Sequence, residues 1–383
     1  MSGAGTGVLI WSAAAAVWWF LAIALVQGSR RTTRGLDPGP VPPDAGNPRL
    51  TLFKPLPTVP DLRTRDALAN AIATFLPQLD NDSQLLVGVP EEQADLWKPV
   101  LDLWTRQVPS GCLRVVVRET PRQRANPKVA WLEVLAPEAT GELWLWSDAD
   151  VVAPPGLLTE LRRELAVHPE AGGVTTPYGI RSTDHPAGWW DALFVNMEFL
   201  PGSLLLRRLG PVPLAFGAAI LFRAETFRRR VSWEELGASL ADDHEVGRRL
   251  APVVISRVVT ETCALETRLG PALRHVYRWQ KTIRWCRPGG FAALVAILPL
   301  LGWAVLCGLQ PADPRVWLGG MAQYAFEVLV AGVLMRQVGF RGPAMGGLAV
   351  IAWPAVRAGV WLAAWLPIPV TWGDTGHWER PVR

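Results

Sequence analysis

A stretch of 19 residues without a charged side chain, residues 8–26, most constrains what this chain can fold into. At a rise of 1.5 Å per residue, about 20 apolar residues cross the ~30 Å hydrocarbon core of a bilayer. A cleaved signal peptide is the alternative, since residues 22–24 read Ala-Ile-Ala. Signal peptides carry their positive charges before the apolar run, whereas Arg30, Arg31 and Arg34 follow this one. We therefore predict a membrane anchor whose C-terminal flank is cytoplasmic by the positive-inside rule.

Three further apolar runs stand towards the C-terminus. Residues 291–309 and 316–335 are separated by a short loop, and arginines follow the second run, so we expect one helix to leave the cytoplasmic side and one to return. The third run, residues 344–368, carries Pro354 and Arg357 in its middle. An arginine at the bilayer centre costs at least ~2.5 kcal/mol. The sequence therefore predicts three secure spans, while the last run either spans the membrane, bends within it or lies in its interface.

The composition requires a soluble part as well. Half of the 383 residues are hydrophobic, but 38 basic and 34 acidic residues are too many for a chain that is membrane-embedded throughout. The net charge of +4 is small and the cations cluster beside apolar runs, so we expect no nucleic-acid partner. The four cysteines are too few and too scattered for a disulfide scaffold or a zinc site.

The segment between the first and second apolar runs alternates between strand-like and helix-like stretches. This pattern is typical of a parallel sheet with helices on both faces, whose ligands bind at the carboxyl ends of the strands. The residues that follow each strand are therefore the candidates for function. The strand-like stretches are 50–54, 84–89, 113–118 and 142–147, and the helix-like stretches are 61–77, 91–107, 127–137 and 156–167.

Asp148 and Asp150 come directly after the fourth strand-like stretch. Carboxylates two residues apart point the same way if the chain stays extended. Two such oxygen ligands hold Mg²⁺ or Mn²⁺ while leaving positions for water and for the phosphates of a ligand. The alternative is an exposed turn without a ligand, since Asp-x-Asp occurs by chance in many proteins. The very apolar strand that precedes the pair favours the metal site.

Six motifs follow one another along the chain. They are Lys54-Pro55-Leu56, Asn126-Pro127-Lys128-Val129, the Asp148/Asp150 pair, residues 215–223, Leu240-Ala241-Asp242-Asp243 and His275-Val276-Tyr277-Arg278-Trp279. In this order they resemble the motifs of the membrane-bound ceramide glucosyltransferase family and its bacterial hopanoid-associated relatives, which are GT-A glycosyltransferases. The resemblance runs from about residue 8 to residue 310 and includes the membrane segments. One position departs from the family: where an aspartate near the uracil is usual, this chain has Glu91 and Glu92.

The resemblance implies that Asp243 is the general base, which takes a proton from the acceptor hydroxyl as that group attacks the sugar carbon. Asp242 stands beside it, and repulsion between two adjacent carboxylates is expected to raise the pKa of one of them. The alternative is that these aspartates only cap the helix that follows. An aspartate at this position can act as a general base and cap the helix at the same time.

The remaining motif residues are expected to bind the donor. His275, Arg278 and Trp279 share one helical face, and the resemblance implies that they bind the diphosphate and the acceptor. The alternative for this segment is a basic flank of the following membrane span. Lys54 and Lys128 either contact the nucleotide or pair with nearby carboxylates. Glu91 and Glu92 are expected near the uracil of the donor nucleotide.

The sequence thus predicts an α/β, GT-A, mostly parallel sheet domain with N- and C-terminal transmembrane helices. Its function would be an inverting hexosyltransferase of the membrane, which transfers glucose or N-acetylglucosamine from a UDP-sugar to a lipid hydroxyl, as in ceramide or a hopanoid. Alternatives are a synthase that extends a polysaccharide and an inactive protein that binds a sugar nucleotide. The predicted segments are an anchor (1–34), a Pro-rich linker (35–49), a cytoplasmic catalytic domain (50–288), transmembrane helices (289–368) and a tail (369–383).

Overall fold

The computed structural model describes residues 3–34, 48–371 and 377–378. The predicted linker and most of the predicted tail lie outside these residues. The chain divides into two compact units. We call the first the helical unit (residues 3–28, 180–202 and 264–371) and the second the sheet unit (residues 29–34, 48–179, 203–263 and 377–378). Residues 180–202 and 264–288, which the predicted catalytic domain includes, thus group with the apolar helices.

Strands and helices alternate through the first half of the chain as the sequence pattern predicted. The strands are β1 (Leu50–Pro55), β2 (Ser83–Pro90), β3 (Leu113–Arg118), β4 (Leu143–Trp146), β5 (Val151–Val152), β6 (Gly173–Thr175), β7 (Tyr178–Gly179), β8 (Ile220–Arg223), β9 (Val253–Ile255), β10 (Thr260–Thr262), β11 (Val370–Thr371) and β12 (His377–Trp378). The helices are α1 (Gly3–Arg34), α2 (Leu62–Ala73), α3 (Ala94–Gln107), α4 (Pro127–Leu135), α5 (Leu157–Val167), α6 (Gly188–Phe194), α7 (Leu200–Leu209), α8 (Ala224–Arg230), α9 (Trp233–Gly237), α10 (Asp242–Leu250), α11 (Leu269–Cys286), α12 (Pro288–Ala293), α13 (Pro299–Leu309), α14 (Pro314–Val338) and α15 (Leu348–Ala363).

The main sheet of the sheet unit has seven strands in the order β3-β2-β1-β4-β8-β6-β9. Only β8 is antiparallel to its neighbours, β4 and β6; the other pairs are parallel. The expectation of a mixed, mostly parallel sheet is confirmed. Because β8 runs the opposite way, the residues that precede it lie at the same edge as the residues that follow β1 and β4. A small second sheet has the order β5-β10-β7.

One face of the sheet packs on an aromatic core. Phe53, Trp144, Trp146, Phe222 and Phe227 are all buried within it. The rings of Trp146 and Phe227 meet edge-to-face with centroids 4.9 Å apart. Aromatic pairs of this kind contribute about 0.5–1.5 kcal/mol beyond the apolar area that they bury. This core fixes the ends of β1 and β4, where the polar residues begin.

Helix α4 begins where the local sequence dictates. Asn126 caps it by accepting a hydrogen bond from the Val129 amide at 3.1 Å, and Pro127 occupies the first turn, where no amide donor is needed. The Asn126 amide group also donates to the Ser239 carbonyl at 3.0 Å. The cap therefore joins the start of α4 to the segment that leads into α10.

The helical unit contains long apolar helices, as the sequence predicted. Residues 4–33, 314–338 and 344–363 each form a helix long and apolar enough to cross a membrane. Residues 291–309, expected as one secure span, instead belong to two shorter helical pieces, 288–297 and 299–309, that meet at an angle of 64°. Pro299 begins the second piece and lacks an amide donor to continue the first. The helix break therefore lies within residues 291–309 and not within residues 344–368, the run whose span the sequence analysis left open.

Arg357 is accommodated in α15 by partners from distant parts of the chain. Its guanidinium pairs with Glu198 at 2.7 Å and with Glu327 of α14 at 3.6 Å, and it lies over the ring of Trp19. Gln280 of α11 donates to the other oxygen of Glu198 at 2.7 Å. Glu198 lies in a π-helical turn, Val195–Phe199. Because the charges of this apolar run are paired inside the unit, Arg357 does not argue against a span.

Candidate active site

Six polar or small residues of the sheet unit meet at the carboxyl edge of β1 and β4. They reach this edge from five places: the end of β1, the first turn of α4, the loop after β4, the loop before β8 and the first turn of α10. All but one were singled out by the sequence. The six are Lys54, Lys128, Asp148, Gly217, Asp242 and Asp243.

Lys128 lies between two carboxylates. Its Nζ is 2.6 Å from Asp148 Oδ1 and 2.9 Å from Asp242 Oδ2. Burial disfavours the ammonium, but the negative charges of Asp148 and Asp242 outweigh it and raise the pKa of Lys128. Lys128 is therefore a permanent cation. Of the two roles that the sequence left open, pairing with nearby carboxylates is the one seen here.

Asp243 is held by two backbone amides. Its Oδ2 accepts a hydrogen bond from the Gly217 amide at 2.9 Å, and its Oδ1 accepts one from the His244 amide at 2.7 Å. Burial, together with the neighbouring charge of Asp242, raises the pKa of Asp243 to about 6. A carboxylate with this pKa is ionised at neutral pH and takes up a proton more readily than an ordinary aspartate. Of the two adjacent carboxylates, Asp243 has the raised pKa that the sequence predicted for one of them.

Gly217 lies in the motif of residues 215–223, but the sequence assigned it no role of its own. A Cβ added there would lie 3.0 Å from Asp148 Oδ2, 3.5 Å from Asp243 Oδ2 and 3.7 Å from Lys128 Nζ. Glycine therefore leaves open the space that these three charged groups border. The stretch of small residues before β8 was visible in the sequence, but only the antiparallel placement of β8 brings Gly217 to this edge.

Lys54 lies beneath the cluster and is fully buried. Its Nζ donates to Ser147 Oγ at 2.9 Å and to the Asp148 carbonyl at 2.7 Å, and it lies 4.1 Å from the centre of the Phe75 ring. Ser147 in turn donates to the Ala218 carbonyl at 2.7 Å. Burial lowers the pKa of Lys54 to about 7, although the charges of Asp148 and Asp150 act against it. These contacts tie the loop that carries Asp148 to the loop that carries Gly217.

The loop after β4 does not stay extended. The Val151 amide donates to the Asp148 carbonyl at 3.4 Å, which places Ala149 and Asp150 in a turn. Among the described residues, no group of three or more His, Cys, Asp or Glu side chains is spaced to hold a metal ion. Mg²⁺, however, is usually held by one or two carboxylates and completed by water and substrate phosphates. The partly exposed carboxylate of Asp148, beside the open space at Gly217, fits such a substrate-completed site.

Glu91 and Glu92 follow β2, the neighbour of β1, so they lie at the same edge of the sheet. Both are exposed. Glu92 accepts a hydrogen bond from the Thr120 hydroxyl at 2.7 Å, and this bond lowers the pKa of its carboxyl group. Neither glutamate is tied to a lysine or to the aspartates by a hydrogen bond or ion pair among the described residues.

His275, Arg278 and Trp279 lie on α11 and belong to the helical unit, so the structure does not group them with the six residues of the cluster. Within their own unit, His275 Nδ1 lies 3.2 Å from Asp191 Oδ1. The Trp279 ring stacks on Phe194 with centroids 5.1 Å apart. Both contacts are with α6, which therefore fixes the face of α11 that the three residues share.

The sequence model of glycosyl transferase family 21 matches residues 12–377, nearly the whole chain. The chain belongs to this family. The resemblance to ceramide glucosyltransferases is thereby confirmed, and with it the predictions of a GT-A type α/β fold and of a hexosyltransferase. A search of curated proteins finds no match to this family 21 glycosyltransferase.

Solved glycosyltransferase structures also resemble it. One is a mannosyltransferase from Pyrobaculum calidifontis with GDP-Man and Mn²⁺, with a TM-score of 0.46 and 19% identity over 92% of this chain and 97% of that one. Another is GalNAc-T7 with UDP, GalNAc and Mn²⁺, with a TM-score of 0.40 and 10% identity over 63% and 48% of the two chains. A third is glucosyl-3-phosphoglycerate synthase from Mycobacterium tuberculosis with phosphoglyceric acid, with a TM-score of 0.37 and 15% identity over 66% and 84%.

Proposed function

We propose that this family 21 glycosyltransferase transfers a hexose, of the glucose or N-acetylglucosamine type, from a UDP-sugar to a hydroxyl group of a membrane lipid such as ceramide or a hopanoid. The observation that carries the proposal is the juxtaposition of Asp243, a candidate base, with the Lys128–Asp148 pair around the open space at Gly217. The family supplies the reaction class, and the apolar helices favour a lipid acceptor.

Asp243 would take the proton of the acceptor hydroxyl while the oxygen of that hydroxyl forms a bond to the sugar carbon. The bond from that carbon to the diphosphate breaks on the opposite face, so the configuration inverts. The two amide donors on Asp243 hold the carboxylate in place while it gains the proton. Lys128, which pairs with Asp148, would balance the negative charge that a diphosphate brings beside that aspartate.

Asp148 and Asp150 would hold a divalent cation, Mg²⁺ or Mn²⁺, together with the donor phosphates. Such an ion, when bound, offsets the negative charge of the leaving diphosphate. Chelation is expected to abolish transfer, and added Mg²⁺ or Mn²⁺ to restore it. Full activity in the presence of excess chelator would exclude this role.

His275, Arg278 and Trp279 remain candidates for diphosphate and acceptor binding. Glu91 and Glu92 remain candidates for contact with the uracil of the donor nucleotide. The arginines that follow the first apolar run favour a cytoplasmic catalytic unit. A cytoplasmic site suits a UDP-sugar donor.

The test uses membranes that contain the full chain, radiolabelled UDP-sugars and extraction of the lipids. The wild type is expected to form a labelled lipid, and Asp243→Asn to lose about 10²–10⁴-fold in rate, the usual range for a general base. Asp102→Asn is the matched control, because Asp102 is an exposed carboxylate of α3 whose one ion pair among the described residues is with Lys98. Equal labelling by Asp243→Asn would exclude the proposed base.

The same experiment separates the alternatives. A water-soluble labelled polymer would point to a synthase that extends a polysaccharide. Binding of the UDP-sugar without release of UDP would point to an inactive protein that binds a sugar nucleotide.

A further inference from the structure

A cavity of about 290 Å³ lies in the sheet unit, apart from the candidate active site. It is bordered by the edge strand β9, the second half of α5 and the end of α7. In the sheet, β9 is three strands away from β4, roughly 14 Å at the usual spacing between strands. The cavity has room for roughly ten water molecules, so it can admit a small polar group with several attached atoms.

The lining of this cavity combines apolar residues with several basic side chains. Arg163, Arg207, Arg257 and His168 face it, against one carboxylate, Glu164. Two of the arginines share a single buried partner outside the lining, Glu160. Its Oε1 lies 2.7 Å from Arg163 Nη2 and 2.6 Å from Arg257 Nε. One carboxylate between two guanidiniums fixes both side chains and leaves a net positive charge.

Two polar side chains at the cavity can make further hydrogen bonds. The side chain of Arg207 is exposed, and its guanidinium has no hydrogen-bond or ion-pair partner among the described residues. The Glu164 side chain is buried, and its Oε1 accepts a hydrogen bond from the Arg257 amide at 2.9 Å, but its Oε2 lacks a hydrogen-bond partner. Burial raises the pKa of Glu164, so its carboxyl keeps a proton to higher pH than an exposed one does.

The cavity also lies near the end of the first apolar helix. Two residues after Arg257, the Val259 amide donates to Thr33 Oγ1 in the last turn of α1 at 3.3 Å. Residues 4–33 are long and apolar enough to cross a membrane, so Thr33 stands where such a span would end. Lipid headgroups occupy that level of a bilayer.

We propose that this cavity is a binding site for a phosphate group, with Arg207 as the residue that grips it. The guanidinium binds two phosphate oxygens at once, and the shared-carboxylate pair of arginines supplies the surrounding positive charge. Glu164 Oε2 accepts a hydrogen bond from a hydroxyl beside the phosphate. The group is carried by the headgroup of an anionic phospholipid or arrives as free phosphate. This site is independent of the proposed transfer reaction.

The test measures binding to the full chain in a neutral detergent. The probes are dioctanoyl phosphatidic acid, dioctanoyl phosphatidylcholine and inorganic phosphate, with ionic strength held constant by chloride. Retained lipid is measured by native mass spectrometry, and phosphate by the shift in melting temperature. Arg207→Gln removes the proposed contact. Arg208→Gln is the matched control, because Arg208 is the neighbouring arginine on the same helix, is exposed like Arg207 and does not line the cavity.

We expect one phosphatidic acid to bind more tightly than phosphatidylcholine, and its affinity to fall about tenfold in Arg207→Gln and to stay unchanged in Arg208→Gln. If inorganic phosphate alone binds with the same dependence on Arg207, and phosphatidic acid is not retained, the source is free phosphate and the site stands. Equal losses in the two variants would show only diffuse attraction between charges, and no binding of either phosphate probe would also overturn the site.

Discussion

Alanine at position 217 tests whether the open space beside Asp148 is where the donor diphosphate binds. The new Cβ would lie 3.0 Å from Asp148 Oδ2, about 0.4 Å inside the 3.4 Å at which ordinary contact begins. Because a misplacement of 1 Å costs about 100-fold in rate, a carboxylate shift of this size costs about sixfold, and the methyl group also fills part of the space. We expect kcat/KM for the donor to fall about tenfold.

The fold should tolerate this substitution. Gly217 is not among the glycines with positive φ, so alanine adopts its backbone conformation and the free energy of unfolding should change by less than about 1 kcal/mol. The assay is the initial rate of lipid labelling at varied UDP-sugar, with the melting temperature followed by tryptophan fluorescence. Gly202→Ala is the control, since nothing lies within 4 Å of a Cβ added there. An unchanged kcat/KM in Gly217→Ala would refute the assignment of this space to the donor.

Three further predictions concern charged groups. Because the pKa of Asp243 is raised to about 6 and a base works only when ionised, log kcat/KM should fall with a slope of about one as pH drops through 6; a profile that stays flat down to pH 5 would contradict it. Lys54→Met keeps an apolar stem but removes the donor to the Asp148 carbonyl. The transfer rate should therefore fall tenfold or more while the melting temperature changes little. Full activity of this variant would show that the hydrogen bond does not position Asp148. Arg357→Gln leaves Glu198 without its cation inside the helical unit and should cost about 3–5 kcal/mol, seen as a lower melting temperature; an unchanged melting temperature would mean that the pair adds nothing to stability.

The sequence predicted those parts of the fold that depend on neighbouring residues. The alternation from β1 to α5 was visible because each strand and the helix after it are continuous in the chain and differ in periodicity. The position of β8 was not visible, since an antiparallel strand inserted between β4 and β6 depends on pairings between residues far apart. For the same reason, the rule that functional residues follow strands found Asp148 but missed Gly217, which precedes a strand.

Long-range pairing also explains the differences in the apolar runs. Arg357 appeared costly in the sequence because its partner Glu198 lies 159 residues away. Residues 291–309 were expected to form one secure span, and the bend within them was not foreseen because hydrophobicity alone does not account for the missing amide of Pro299. Lys54 was correctly placed at a strand end, but the sequence could not show that its side chain lies beneath the cluster.

The interleaving of the two units has a consequence for the order in which the chain is made. Strands β1 to β4 leave the ribosome first and can pair with one another, but β6 has no bridge to them until β8 follows. Residues 180–202, which belong to the helical unit, are synthesised in that interval. Gly217 and Asp243 come later still, so the aspartate after β4 and its lysine partner exist before the candidate base does. A chain that stops before residue 243 therefore carries the donor-side carboxylate without the base, and it cannot carry out the proposed transfer.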